Sequence, residues 1–277
     1  MSRLSLNQAT IKHAGLEEAV RVTVDAGIES IGLWREPVAE FGLDASAALV
    51  RDSGLRVSSL CRAGFFTATE GPARRAAIDE NRRAIGEAAA LGAPALVLVA
   101  GGLPEGSRDL VGARQRVRDA IGELETDALA AGVRLAIEPL HPMYVTDRAV
   151  ISTLGQALDI AEQFDPRAVG VVVDTFHVFW DPAVLEQIAR AGSGGRIASY
   201  QVCDWNMPIA PDPLLSRGFP GDGCIDFASL TAAVGAAGYE GDIECEIFNQ
   251  DIWDADRGAV AARSLEAYEL LVAPHLS

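Results

Sequence analysis

Short apolar runs alternate along this chain with longer stretches whose apolar positions recur every three to four residues. The short runs are Leu4–Thr10, Ser30–Trp34, Arg56–Arg62 and Ala95–Ala100, then Arg134–Pro139, Val169–Thr175, Ile197–Asp204 and Asp242–Phe248. Each is bounded by Gly, Pro or polar residues, and most are rich in Val, Ile or Leu, as strands buried on both faces are. The stretches with helical periodicity are Gly15–Ala26, Glu36–Ser53, Pro72–Leu91, Arg108–Ala131, Thr153–Phe164, Pro182–Ala191, Phe227–Ala237 and Asp254–Ala273. Pro72 and Pro182 stand near helix starts, and Gly27, Gly54, Gly92, Gly132 and Gly238 follow helix ends. Strand then helix, eight times over, implies parallel strands joined by crossover helices. Eight units suit a closed (β/α)₈ TIM barrel, a fold of roughly 250 residues. With 277 residues and no low-complexity linker, residues 1–277 read as one barrel domain. The longest irregular stretch is Trp205–Asp226, a length that usually marks a functional or mobile loop.

Composition narrows the partners. The formal net charge is −16, and Lys12 is the only lysine. A phosphate-backbone binder needs a basic footprint, so nucleic acid is not expected, nor is an anionic membrane surface. No uninterrupted apolar stretch is long enough to span a bilayer, and the first residues lack a signal-peptide apolar core. Cys61, Cys203, Cys224 and Cys245 form no CxxC pair, which fits reduced thiols in a cytoplasmic protein.

In a barrel of this type, function gathers at the C-terminal ends of the strands. The fifth run ends in Ile137-Glu138-Pro139, and the sixth reads Val173-Asp174-Thr175-Phe176-His177. The seventh carries Tyr200-Gln201-Val202, and the eighth Ile243-Glu244-Cys245-Glu246-Ile247. A charge inside an apolar strand costs several kcal/mol unless it is paired or metal-bound. Three carboxylates and an amide on four consecutive strands therefore point to one divalent cation, held by Glu138, Asp174, Gln201 and Glu246. Side chains alternate with a period of two, so Glu244 and Glu246 share one face and Ile243, Cys245 and Ile247 the other. The apolar set suits the helices, which places Glu246 at the mouth as the ligand and Glu244 deeper. There Glu244 is expected to pair with an arginine, Arg134 being the candidate. An all-oxygen ligand set favours Mg²⁺ or Mn²⁺ over Zn²⁺.

At these residues the chain resembles the xylose isomerase-like TIM barrels, the superfamily of sugar isomerases and epimerases that also includes the family 2 apurinic-site endonucleases. Beyond the motifs already quoted, Arg217 to Asp226 (RGFPGDGCID) and Gly238-Tyr239-Glu240-Gly241 carry the resemblance. It implies that Glu138, Asp174 and Glu246 bind metal, that His177 and Arg217 contact substrate, and that Gln201 stands where a histidine ligand is usual. It further implies proton transfer on a polyhydroxylated carbonyl compound through a metal-stabilised enediolate. Glu138 and Glu246 then remove and return the proton as the catalytic pair. The partner is a small sugar or sugar-like substrate, and a homodimer or homotetramer is the common assembly of similar proteins.

Further candidates line the mouth. His141 follows Glu138 closely. Trp34 is placed to stack on a sugar face, Arg62 to meet an anion or hydroxyl, and Asp204 to orient a metal ligand. The pair Gly101-Gly102 reads as a turn more readily than as a phosphate cradle. His13 and His275 read as surface residues. Three rival functions differ in class. A dehydratase of the inosose type shares the enolate chemistry. An endonuclease needs a His-rich multinuclear site, against which four histidines and a charge of −16 argue. A non-catalytic sugar-binding barrel keeps the metal without turnover.

Overall fold

The computed structural model describes residues 2–69 and 71–276. Ten strands occur among them: β1 (Leu4–Asn7), β2 (Ser30–Trp34), β3 (Arg56–Gly64), β4 (Ala95–Val99), β5 (Arg134–Glu138), β6 (Val169–Asp174), β7 (Ile197–Val202), β8 (Asp204–Trp205), β9 (Arg217–Gly218) and β10 (Ile243–Cys245). Eight close a parallel barrel in the order β1-β10-β7-β6-β5-β4-β3-β2. Closure is sealed where β1 pairs with both β10 and β2, Ser5 standing level with Glu244 on one side and Ser30 on the other. The two remaining strands, β8 and β9, form a small antiparallel pair at the mouth. The chain is thus a single TIM barrel, as its alternating pattern predicts.

The core has two parts, which follow from strand alternation. Leu96, Leu98, Leu135, Ile137, Val171 and Val173 belong to the large layer between barrel and helices. Cys61, Ala95, Val97, Ala136 and Val172 form a smaller cluster inside the barrel. Two residues beyond Ala136 lies Glu138, and two beyond Val172 lies Asp174. The residues that fill the interior thus hand over to acids at the mouth.

Several boundaries differ from the sequence expectation for physical reasons. The stretch Glu36–Ser53 folds as two helices, Arg35–Phe41 and Leu43–Ser53, because Gly42 adopts φ 95° and breaks the ladder. The last predicted helix, Asp254–Ala273, starts later, as Arg257–Leu271, capped by Asp256 accepting from the Ala259 amide, and a separate short helix, Gln250–Asp254, precedes it. The first run ends at Asn7, whose side chain caps a 3₁₀ turn, Gln8–Ile11, that lifts the following residues to the barrel mouth. Among the described residues no helix is long and apolar enough to cross a membrane. Cys61, Cys203 and Cys245 are buried and Cys224 is exposed, and all four are free thiols.

Candidate functional site

Strand ends deliver the acids. Glu138 closes β5, Asp174 closes β6 and Glu246 follows β10; they are 5%, 0% and 4% exposed. Asp174 also starts the short helix Thr175–Val178, accepting from the Phe176 amide at 2.8 Å, and this turn swings His177 back over the barrel. Glu138, Asp174 and His177 offer ligand atoms that all lie within 4.8 Å of one another. Gln201 stands level with Asp174 on one neighbouring strand and with Glu244 on the other. Its neighbour Tyr200 faces the helices, where its hydroxyl is 2.8 Å from that of Thr231, so Gln201 faces inward. Neither the oxygen nor the nitrogen of the buried Gln201 amide has a hydrogen-bond partner.

Arg217 is the cation among these acids. Its Nη1 donates to Asp174 Oδ2 and to Glu246 Oε2, each at 3.0 Å, and to the Glu246 carbonyl at 3.2 Å. Its Nη2 lies 3.0 Å from His177 Nε2. His177 thus meets two donors, the His141 backbone N–H at Nδ1, 3.1 Å away, and Arg217 at Nε2, and a neutral ring accepts from one of them only.

Burial dominates the electrostatics. It raises the carboxyl of Glu138 well above its usual range, and the nearby Glu246 and Asp174 push the same way. Glu246 is raised to about 8, burial outweighing the attraction of Arg217. Asp174 is raised by burial despite its bonds to Arg217 and backbone. The His177 imidazole is held well below its usual value by burial and by the Arg217 charge, so it is neutral near pH 7. Three acids with one arginine among them form a pocket short of positive charge. Together with an unbonded amide, that donor set fits a divalent cation.

A cleft of about 990 Å³ opens above this cluster, lined by Glu138, His177, Arg217 and Glu246 and, on one wall, by Trp34 and Arg62. Trp34 Nε1 donates to Asn7 Oδ1 at 2.8 Å. His141 does not line the cleft. It sits behind His177, its ring 5.5 Å from that of Trp180 and 5.2 Å from that of Trp205.

Two expectations are corrected. Glu244 does not meet Arg134. It accepts from Asn7 Nδ2 at 2.8 Å, whereas Arg134, at the opposite end of its strand, donates to the carbonyls of Ile197 and Gly195. Asp204 orients a loop and not a ligand: its carboxylate accepts from the amides of Gly221 and Ile225 at 2.9 and 3.0 Å, holding the segment that carries Arg217. Gly101-Gly102 is, as expected, a close-packed turn: a Cβ on Gly102 would lie 2.7 Å from Asp147 Cα, and Gly101 bridges to Ala149. Sequence reasoning also passed over Asn7, Lys12, Phe248 and Trp253. All but Asn7 line the cleft, and Asn7 ties its floor to its wall. The single lysine was the signal available for one of them.

Comparison with known proteins accords with this architecture. A 3-dehydroshikimate dehydratase from Pseudomonas putida is 31% identical over 167 residues, 57% of this chain and 25% of that protein. An L-ribulose 3-epimerase from Mesorhizobium japonicum is 28% identical over 158 residues, covering 56% of this chain and 48% of the epimerase. The chain thus spans between a quarter and a half of the length of these relatives. A crystal structure of a Sinorhizobium meliloti 1021 protein superposes with a TM-score of 0.94 at 48% identity, over 97% of this chain and 98% of that one. The IOLI protein, solved with a bound zinc atom, superposes over the full length of both chains with a TM-score of 0.85 at 21% identity. The sequence profile of one family matches residues 20–270, nearly the whole barrel, and the chain is a member of the xylose isomerase-like TIM barrel family.

Proposed function

We propose that this protein is a divalent-metal-dependent isomerase or epimerase of sugars or polyol-derived keto compounds, working by proton transfer between Glu138 and Glu246. The observation that carries the reading is the unbonded, buried Gln201 amide beside three converging carboxylates. Glu138, Asp174, Gln201 and Glu246 would hold the cation, which polarises a carbonyl and stabilises negative charge on oxygen. Glu138 and Glu246 come from strands three apart in the ring, with the strands of Asp174 and Gln201 between them, and would flank a substrate held there. One removes a proton from the carbon next to the carbonyl, and the other returns it. Burial supports this role, because carboxyls lifted toward neutral pH are better matched to proton exchange than ordinary ones. His177 and the Arg217 guanidinium, in contact at 3.0 Å and both lining the cleft, would bind substrate oxygens.

The oxygen donors favour Mg²⁺ or Mn²⁺. The zinc in the IOLI protein makes Zn²⁺ the third cation to compare. A second reading draws on the 3-dehydroshikimate dehydratase: the same deprotonation ends in water loss where the substrate carries a departing β-hydroxyl. The test is proton–deuterium exchange. Keto sugars and cyclic keto compounds are incubated in D₂O with protein loaded with each cation, and C–H signals and products are followed by NMR. Exchange beside the carbonyl is expected, and Glu246→Gln should abolish it with the fold retained. Unchanged exchange in that variant refutes the assignment. Sugar binding without exchange identifies a non-catalytic barrel, and an unsaturated product identifies a dehydratase.

A further inference from the structure

A cation accounts for only one end of the Gln201 amide. The oxygen is a ligand atom, whereas the nitrogen carries two hydrogens and no lone pair to give a metal. Gln201 is 1% exposed, and its Nε2 has no hydrogen-bond partner among the described residues. Leaving such a donor unmet is costly in a dry interior. Two residues stand level with Gln201 on the neighbouring strands, Asp174 and Glu244. Both Asp174 oxygens are engaged, Oδ1 by the Phe176 amide and Oδ2 by Arg217. Glu244, 1% exposed, keeps one oxygen open: Oε2 accepts from Asn7 Nδ2 at 2.8 Å, and Oε1 has no partner among the described residues.

Glu244 meets the same neighbour from its own side. Its level neighbours are Gln201 and Ser5, and the Ser5 hydroxyl is 2.7 Å from that of Ser58. The Ser58 and Ser59 hydroxyls lie near the Glu244 carboxyl too, but a carboxylate oxygen accepts two bonds, so Oε1 keeps room for a donor. Adjacent strands run about 4.8 Å apart, a gap that two inward side chains of this length close by turning their terminal torsions. The carboxyl is held from its other end. Asn7 Oδ1 accepts from Trp34 Nε1 at 2.8 Å and from the Ala9 amide at 2.9 Å, which fixes Asn7 Nδ2 toward Glu244. Gly32 leaves the space for this pair, since a Cβ there would lie 2.5 Å from Glu244 Oε2.

We propose that Glu244 is a positioning residue of the candidate metal centre: Glu244 Oε1 accepts from Gln201 Nε2 and thereby turns the amide oxygen to the cation. The reversed amide would set its nitrogen against the cation and its oxygen against the carboxylate, so both contacts favour one orientation. A hydrogen bond to a charged acceptor also pushes electron density onto the amide oxygen, which makes it a stronger ligand. This role rests on the reading of Gln201 as a metal ligand, and not on proton transfer by Glu138 and Glu246.

Cation binding tests the role without turnover. Mn²⁺ is titrated by calorimetry into chelator-treated wild type, Glu244→Gln, Gln201→Ala and the double variant, with melting curves to confirm that each is folded. Glu244→Gln keeps the shape of the side chain but offers one oxygen where two accept. It should weaken Mn²⁺ binding by about tenfold, the scale of losing an outer contact to a metal ligand. The same change should cost clearly less in the Gln201→Ala background, where no amide remains to be turned. Side-chain amide signals give a second readout. In ¹⁵N NMR of the Mg²⁺-loaded wild type, the Gln201 pair is identified by its absence in Gln201→Ala. One of its two protons should stand downfield of those of solvated glutamines, and the shift should be lost in Glu244→Gln. If Glu244→Gln does not fold, the wild-type spectrum decides alone. Unchanged affinity in Glu244→Gln, equal losses in the two backgrounds, or an amide pair with no downfield proton overturns the proposal. Unchanged affinity in Gln201→Ala removes the ligand and its positioning residue together. Deuterium exchange without coupling between the two residues removes the positioning role alone, whereas coupling without exchange removes the reaction alone.

Discussion

Removing the charge of Glu246 should stabilise the metal-free protein at alkaline pH. In the folded chain this carboxyl titrates at about 8, against a reference of 4.5, chiefly because it is buried. A folded-state value raised above the unfolded one means that the native protein holds a proton the unfolded chain has released. The associated stability is therefore complete below pH 4.5 and is lost as the pH rises through 8. The gap between those two values, at about 1.4 kcal/mol per pH unit, amounts to about 5 kcal/mol. Because Glu246 titrates together with Glu138 and Asp174, that loss belongs to the cluster. Glu246→Gln copies the protonated form, so near pH 5 it should match the wild type, and above pH 8 it should exceed it. An unfolding entropy of about 2.1 cal/mol/K per residue makes 5 kcal/mol worth roughly 9 °C in this chain. The assay is calorimetric melting in a chelator across pH 5 to 9, repeated with Mg²⁺, Mn²⁺ or Zn²⁺. The advantage of the variant should vanish when the cation is added, since the wild type alone keeps the full set of ligands. A variant that melts with the wild type at pH 8.5 in chelator, or below it, refutes the reasoning.

Two glycine substitutions probe the surroundings of the site. Gly32→Ala would set a Cβ 2.5 Å from Glu244 Oε2 and 2.9 Å from Asn7 Nδ2, and should cost about 2 kcal/mol by chemical denaturation, in the range of overpacked cores; an unchanged midpoint would show that this buried pair shifts freely. Gly223→Ala would drive a Cβ against the Trp205 carbonyl and to 2.6 Å from Asp204 Oδ1, disturbing the loop that holds Arg217. It should weaken substrate affinity more than it lowers the melting temperature, and the reverse order would show that the loop does not position Arg217.

The barrel was legible because its evidence is repeated: eight buried runs, each with its own boundary residues. Parity was equally readable in the eighth strand, and it put Glu244 and Glu246 on the inner face, where they lie. It could not give depth. Arg134 was chosen as the partner of Glu244 by charge, yet it starts β5 at the opposite end of the barrel and spends its donors on carbonyls there. Nor could a sequence show that Asn7 supplies the missing partner, because that bond joins residues 237 positions apart. Lys12 was hidden for another reason. The run Leu4–Thr10 reads as one strand, and only its early end at Asn7 turns the next residues toward the cleft. His141 lay close to Glu138 in sequence, but packing against Trp180 and Trp205 draws it behind His177.

Asn7 uses both ends of its amide, one on Glu244 and the other on Trp34 and the Ala9 amide. Floor and aromatic wall thus share one strut, and neither turns without the other. The facing rim, from Asn206 to Ser216, is built differently: it hangs between β8 and β9 and leaves Met207 and Ile209 in solvent. Evolution meets two unequal halves of one cleft. Replacements on the strut side must arrive in concert, whereas the rim accepts them singly, so divergence in substrate preference within this architecture should accumulate on the rim first while the strut persists across relatives of differing specificity.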